Sequence, residues 1–134
     1  MRIGTSGFSF PDWKGVVYPG RLSPKEMLTY YATELGFDAV EINSTYYSIP
    51  KPQNVEAMAK KTPENFEFTV KAHRGMTHDP FDDRNERRPT EEETEECFRL
   101  FREAVEPLKE SKKLGAVLLQ FPVFFYPSEH SKQY

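Results

Sequence analysis

Phe66-Glu67-Phe68-Thr69-Val70-Lys71-Ala72 is the stretch that decides the fold. Phe and Val alternate in it with Glu, Thr and Lys, the period-2 pattern of a β-strand with two unlike faces. Toward the N-terminus, residues 53–61 read as a short helix ended by Thr62 and Pro63, and residues 38–43 as a second strand. Ser23, with Pro24 next and Glu26 three on, spells a capping box with proline at the first helical position. A helix over residues 24–35, stopped by Gly36, follows from it. Residues 1–5 make another strand, trailed by a loop over residues 6–20 that holds Phe8, Phe10, Trp13 and Tyr18. A second loop, residues 44–52, carries the paired Tyr46 and Tyr47.

Toward the C-terminus, a long loop over residues 73–89 leads to Thr90 and Glu93, a second capping box. Cys97, Phe101, Ala104 and Leu108 then recur at helical spacing, so a long helix spans residues 90–111, with Pro107 expected to kink it or end it early. Residues 116–121 are mostly apolar, as a strand buried on both faces should be. The segment over residues 123–134 is expected to be irregular.

The order β, α, β, α, β, α, β argues for a parallel sheet with right-handed crossovers. No glycine-rich phosphate loop follows Thr5, since Gly4, Gly7 and Gly15 lack the dinucleotide spacing. The pattern therefore predicts an α/β protein of TIM-barrel type, the first four strands and three helices of an eight-stranded barrel. A whole barrel takes about 250 residues, so the 134 residues form a single partial barrel domain. Four strands cannot close, and an isolated chain is expected to self-associate through its sheet edges.

Composition narrows the function classes. With 18 basic and 21 acidic residues the net charge is −3, which gives no reason to expect a nucleic-acid partner. No window reaches the roughly 18 apolar residues of a membrane span, and the start lacks a basic leader with an apolar region behind it. A cytoplasmic protein without a membrane partner is the expectation. The lone Cys97 lies in the helical stripe and reads as a small core residue. Residues 82–96 mix both charge signs, as a solvated loop running into a helix does.

Five blocks carry a resemblance: Ile3-Gly-Thr-Ser-Gly-Phe-Ser-Phe-Pro-Asp-Trp13, Val40-Glu-Ile-Asn-Ser-Thr-Tyr46, Phe68-Thr-Val-Lys71, Thr77-His78 and Lys113-Leu-Gly-Ala-Val-Leu-Leu-Gln-Phe-Pro122. In this order they resemble the N-terminal half of the YecE-like family, the domain of unknown function seventy-two. Phe8 stands where that family usually has tryptophan, and the charged stretch near residues 82–90 is a further departure. The resemblance implies a barrel fold and leaves the reaction open.

Barrel sites sit at the carboxyl ends of the strands, on side chains that point away from the helices. Parity along each strand selects Gly4 and Ser6, Ala39, Glu41 and Asn43, Glu67, Thr69 and Lys71, and Leu118 and Gln120. At the rim this gathers Ser6, Glu41, Asn43, Lys71 and Gln120, with His73 and His78 in the loop above. Lys71 and Glu41 fit a catalytic pair, a partly desolvated lysine beside a carboxylate that shuttles its proton, and equally a structural ion pair. His78 fits a general acid/base, or a metal ligand with Asp79 and Glu41, or a solvated loop residue. The spacing is not diagnostic, so no metal is assigned, and nothing specifies a cofactor. Phe8, Trp13, Tyr46 and Tyr47 either wall an apolar pocket with hydroxyl handles or cap the barrel end, with Tyr46 next to the inward Asn43 and Thr45.

The expected function is an enzyme-type barrel acting on a small polar metabolite by acid/base or lysine-assisted chemistry. Glu41, Lys71 and His78 are its catalytic candidates, and Ser6, Phe8, Asn43, Thr45, Tyr46, His73 and Gln120 its ligand contacts. A non-catalytic small-molecule-binding or regulatory module, or an inactive truncated gene product, is the alternative.

Overall fold

Four strands lie side by side in a computed structural model that describes residues 1–82, 87–126 and 128–134. They are β1 (Gly4–Thr5), β2 (Ala39–Ile42), β3 (Glu67–Lys71) and β4 (Leu114–Leu118). The sheet order is β1-β2-β3-β4 and every neighbouring pair is parallel. Between the strands run α1 (Met27–Thr33), α2 (Pro52–Lys60) and α3 (Glu91–Glu110), and α4 (Glu129–Gln133) follows β4. Short 3-10 turns occupy Pro11–Trp13, Ser44–Tyr46, Arg74–Met76 and Asp79–Phe81. Arg84, part of the charged stretch, lies outside the described residues.

Alternation along the strands sorts the two faces of the sheet. Val40 and Ile42 of β2 and Phe68 and Val70 of β3 are buried in one core. The same core takes Met27, Leu28 and Tyr31 from α1, Val55 and Ala59 from α2, and Phe101, Val105 and Leu108 from α3. All three crossover helices thus pack against one face. On the other face Glu41, Thr69 and Lys71 are only half-buried, and Ala116 of β4 is exposed. This architecture is an α/β fold with a four-stranded parallel sheet.

Three polar devices hold the elements in place. Tyr31 is fully buried, and its hydroxyl donates to the Ala39 carbonyl (2.9 Å) while accepting from the Thr5 amide (2.8 Å). That pins α1 to the short β1 and to β2. Lys113 is buried to 8% exposure because its ammonium donates to the carbonyls of Ala59 (2.7 Å) and Thr62 (2.8 Å) and lies 3.0 Å from the Thr62 hydroxyl. It supplies donors that the C-terminal end of α2 lacks, and burial draws its pKa down. The third device is a bulge in β4: Phe68 pairs with Leu114 but Thr69 with Ala116, which leaves Gly115 as the extra residue. A Cβ on Gly115 would come within 2.2 Å of the Glu67 carboxylate, itself ion-paired with Arg2 at 2.7 Å.

The elements depart from the sequence expectations at their ends. Helix α1 begins at Met27 rather than at residue 24, because the Glu26 carboxylate accepts from both the amide and the hydroxyl of Ser23 and so holds the preceding residues as a turn. At α3 the Thr90–Glu93 capping box forms in full, and the helix continues past Pro107 to Glu110. Strand β4 starts earlier and stops earlier than residues 116–121 suggest, since the bulge recruits Leu114 and Gly115. Instead of an irregular tail, Ser128 caps α4 and the Tyr134 hydroxyl donates to the Met76 carbonyl at 2.8 Å. The Tyr134 ring then packs 4.8 Å from Phe81, beside Phe121 and Phe125.

Lys113→Ala should cost about 1–3 kcal/mol, the penalty for stranding buried carbonyls. The check is the midpoint of urea unfolding, which should fall without a change in slope.

Candidate site at the carboxyl ends of the strands

Two polar clusters stand where β1, β2 and β3 end. In the first, the Asn43 side-chain amide donates to the Ser6 hydroxyl (2.6 Å), and that hydroxyl donates to the Glu41 carboxylate (2.8 Å). The chain of bonds bridges the ends of β1 and β2 and leaves Glu41 able to accept further protons or hydroxyls.

The second cluster is built on Lys71, the last residue of β3. Its ammonium lies 4.9 Å from the centre of the Tyr46 ring. Tyr46 is placed there by the turn Ser44–Tyr46, which Thr45 fastens to the sheet: the buried Thr45 hydroxyl lies 2.6 Å from the Lys71 carbonyl and 3.0 Å from that of Ile42. His78 meets the Tyr46 ring edge-on at 5.1 Å, with its Nδ1 3.0 Å from the hydroxyl of buried Thr77. Alongside, Arg74 forms an ion pair with Asp79 at 2.7 Å.

Burial first, and then the Lys71 charge, pushes the His78 pKa below its ordinary value, against the pull of Asp79. The lowered pKa favours the neutral imidazole, the form a proton acceptor needs. Burial also lowers the pKa of His73, whose Nδ1 accepts from the Gly75 amide (3.1 Å) and sits 3.3 Å from the Cys97 sulfur. The Cys97 thiol is pushed up by burial, so it stays protonated and is a poor nucleophile.

Among the described residues no ion pair joins Glu41 to Lys71; the two groups have separate partners, Ser6 for one and Tyr46 for the other. Ser6, Glu41, Asn43, Lys71, Tyr46 and His78 come together at one end of the sheet. His73 caps the turn Arg74–Met76 and faces Cys97. Phe8 leans on the core against Tyr31 at 6.4 Å, with its carbonyl accepting from the Tyr18 hydroxyl (2.6 Å). Gln120 is exposed beyond the end of β4. Sequence reasoning quoted Thr77 and named Asp79 beside His78, but missed the Thr77 hydroxyl behind His78 and the pairing of Asp79 with Arg74. Among the described residues no three His, Cys, Asp or Glu side chains converge as a metal ion would require, and no helix is long and apolar enough to cross a membrane.

Residues 2–134 match the family described as Protein of unknown function DUF72. The UPF0759 protein YunF of Bacillus subtilis (strain 168) is 35% identical over 128 residues, covering 92% of this chain and 40% of that protein. Among solved structures, a DUF72 family protein of Thermotoga maritima MSB8 is 40% identical with a TM-score of 0.74, covering 99% of this chain and 48% of that one. A DUF72 family protein of Enterococcus faecalis V583 is 29% identical with a TM-score of 0.69, covering 98% and 43%. The chain thus spans less than half the length of these relatives.

Acid should destabilise the fold through its two half-buried histidines. Both have folded pKa values below 6.5, so the unfolded chain binds their protons more readily. Stability is retained above pH 6.5 and falls as the pH drops below it, and His78→Asn should remove part of that fall. Thermal melts between pH 5 and 8 measure it.

Proposed function

The chain belongs to the DUF72 family, and from that premise we propose that its sheet is the first half of an eight-stranded β/α barrel that holds a small polar metabolite at its carboxyl rim. The one-sided packing of α1, α2 and α3 supports the barrel reading. All-parallel sheets are normally covered on both faces, and here the uncovered face is the one that would line a barrel interior. The relatives, more than twice as long as the aligned stretch, have room for the other half.

One observation carries the site reading. The Asn43–Ser6–Glu41 chain and the Lys71–Tyr46–His78 stack stand at neighbouring positions on one sheet end, as the pairing of Ile42 with Val70 requires. Carboxylate, ammonium, neutral imidazole and aromatic wall are the parts an acid/base site for a hydroxylated substrate uses. In this reading Glu41 accepts a substrate hydroxyl, His78 takes a proton from the bound molecule, and Lys71 offsets the negative charge that develops. A binding module without turnover is the second reading, favoured by the lack of direct contact between Glu41 and Lys71.

A thermal-shift screen with polyols, hydroxy acids and sugar phosphates tests the site. A ligand present at 100 times its dissociation constant adds about 2.7 kcal/mol of stability, an upward shift that Glu41→Ala and Lys71→Ala should abolish. Turnover of that ligand, lost in His78→Ala, supports the enzyme, and binding without turnover supports the module. A screen in which no compound raises the melting temperature overturns both.

The half-barrel reading has its own test. With the edges of β1 and β4 and one sheet face uncovered, the chain by itself should sediment as a dimer or larger species. A cooperatively folding monomer overturns that reading.

A further inference from the structure

Lys71 has an incomplete set of partners among the described residues. It is half-buried at the end of β3, where a cation needs a partner. Among the described residues its ammonium makes no ion pair or hydrogen bond. Nearby acids are committed elsewhere: Asp79 is bound by Arg74 through Nε (2.8 Å) and a second guanidinium nitrogen (2.7 Å), and Glu41 accepts from Ser6. What the protein does supply is the Tyr46 ring at 4.9 Å, which satisfies the charge in part and leaves the N–H donors unused. The turn that carries the ring is tied down, since the neighbouring Thr45 hydroxyl donates to the backbone carbonyl of Lys71 itself. A positive group fixed in direction, with its donors open and a hydroxyl-binding carboxylate on the adjacent strand, is the arrangement that receives an anion.

Building on the metabolite-site reading above, we infer that the ligand is a hydroxylated anion, its carboxylate or phosphate held by Lys71 over Tyr46 and its hydroxyl by the Asn43–Ser6–Glu41 chain. Two unlike subsites at one rim set the ligand's direction as well as its charge. Lys71 is then an anchor, and Tyr46 is a positioning residue that acts through it. Arg74 is already paired with Asp79 and is not the primary anion contact. The charged groups that act on His78 are Lys71, Asp79, Arg74 and Asp82. An anion that neutralises the first of these should be visible at the imidazole.

The test uses NMR on the whole chain with three probes of one carbon skeleton: glycerate, glycerol 3-phosphate and uncharged glycerol. Expected is binding of one or both anions in preference to glycerol, weakened about tenfold or more by Lys71→Gln and retained by Lys71→Arg, the loss of a charge-assisted contact. With glycerate bound, the titration midpoint of His78, assigned through His78→Asn, should move upward in the wild type and not in Lys71→Gln. Binding of glycerate alone identifies a carboxylate ligand and binding of glycerol 3-phosphate alone a phosphate ligand, and either supports the inference. Should glycerol perturb Ser6 and Asn43 as strongly as the anions do, or should Lys71→Gln bind the anions unchanged, the anion inference falls while the polar-metabolite site stands. If no probe perturbs the rim in the wild type, both fall together. The backbone spectrum of Lys71→Arg guards against a folding defect being read as lost binding.

Discussion

A single constraint governs this molecule: side chains on a strand alternate, and the helices cover only one side of the sheet. Once Val40, Ile42, Phe68 and Val70 are committed to the core, Glu41, Thr69 and Lys71 have no choice of face. A slip of one residue in β3 would drive Lys71 and Glu67 among Phe101, Val105 and Leu108, at the cost of burying two charges without partners. The burial of apolar groups behind the sheet and the gathering of polar groups in front of it are therefore one event. Removing a core contact such as Phe68 would loosen the rim as well as the core.

Rim side chains gain precision both from fixed backbone groups and from one another. Thr45 reads the carbonyls of Ile42 and Lys71, His73 caps the turn that follows β3, and buried Thr77 backs His78. Thr45 and Thr77 are short polar side chains next in sequence to Tyr46 and His78, the residues they steady. Lys71 takes its position from β3, Tyr46 from the turn that Thr45 ties to the strand ends, and His78 from Thr77 behind it.

Much of this was legible in the sequence because it rests on period and on local chemistry. The alternation of residues 66–72 gave the strand and its faces, Thr90 with Glu93 gave the start of α3, and parity placed Ser6, Glu41, Asn43 and Lys71 at one end of the sheet. What was not legible depends on contacts distant along the chain. Ser23 and Glu26 form a bonded pair without starting the helix at once, because the same carboxylate takes both donors of Ser23. The bulge at Gly115 answers to Glu67 on the neighbouring strand, and nothing in residues 113–122 announces it. That Lys71 faces Tyr46 instead of Glu41 is likewise a matter of rotamers, to which parity is blind. The helical tail, packed onto Phe81 through Tyr134, was missed because its aromatic partners lie in a loop with no periodic signal.

Strand order carries a consequence for how the protein is made. Every strand pairs with the one synthesised just before it, β2 with β1, β3 with β2 and β4 with β3. For β2, β3 and β4 the pairing partner is thus already made when each emerges, so each of these helix-and-strand units can add to an edge already standing. Order in the sheet and order of synthesis coincide across these four strands.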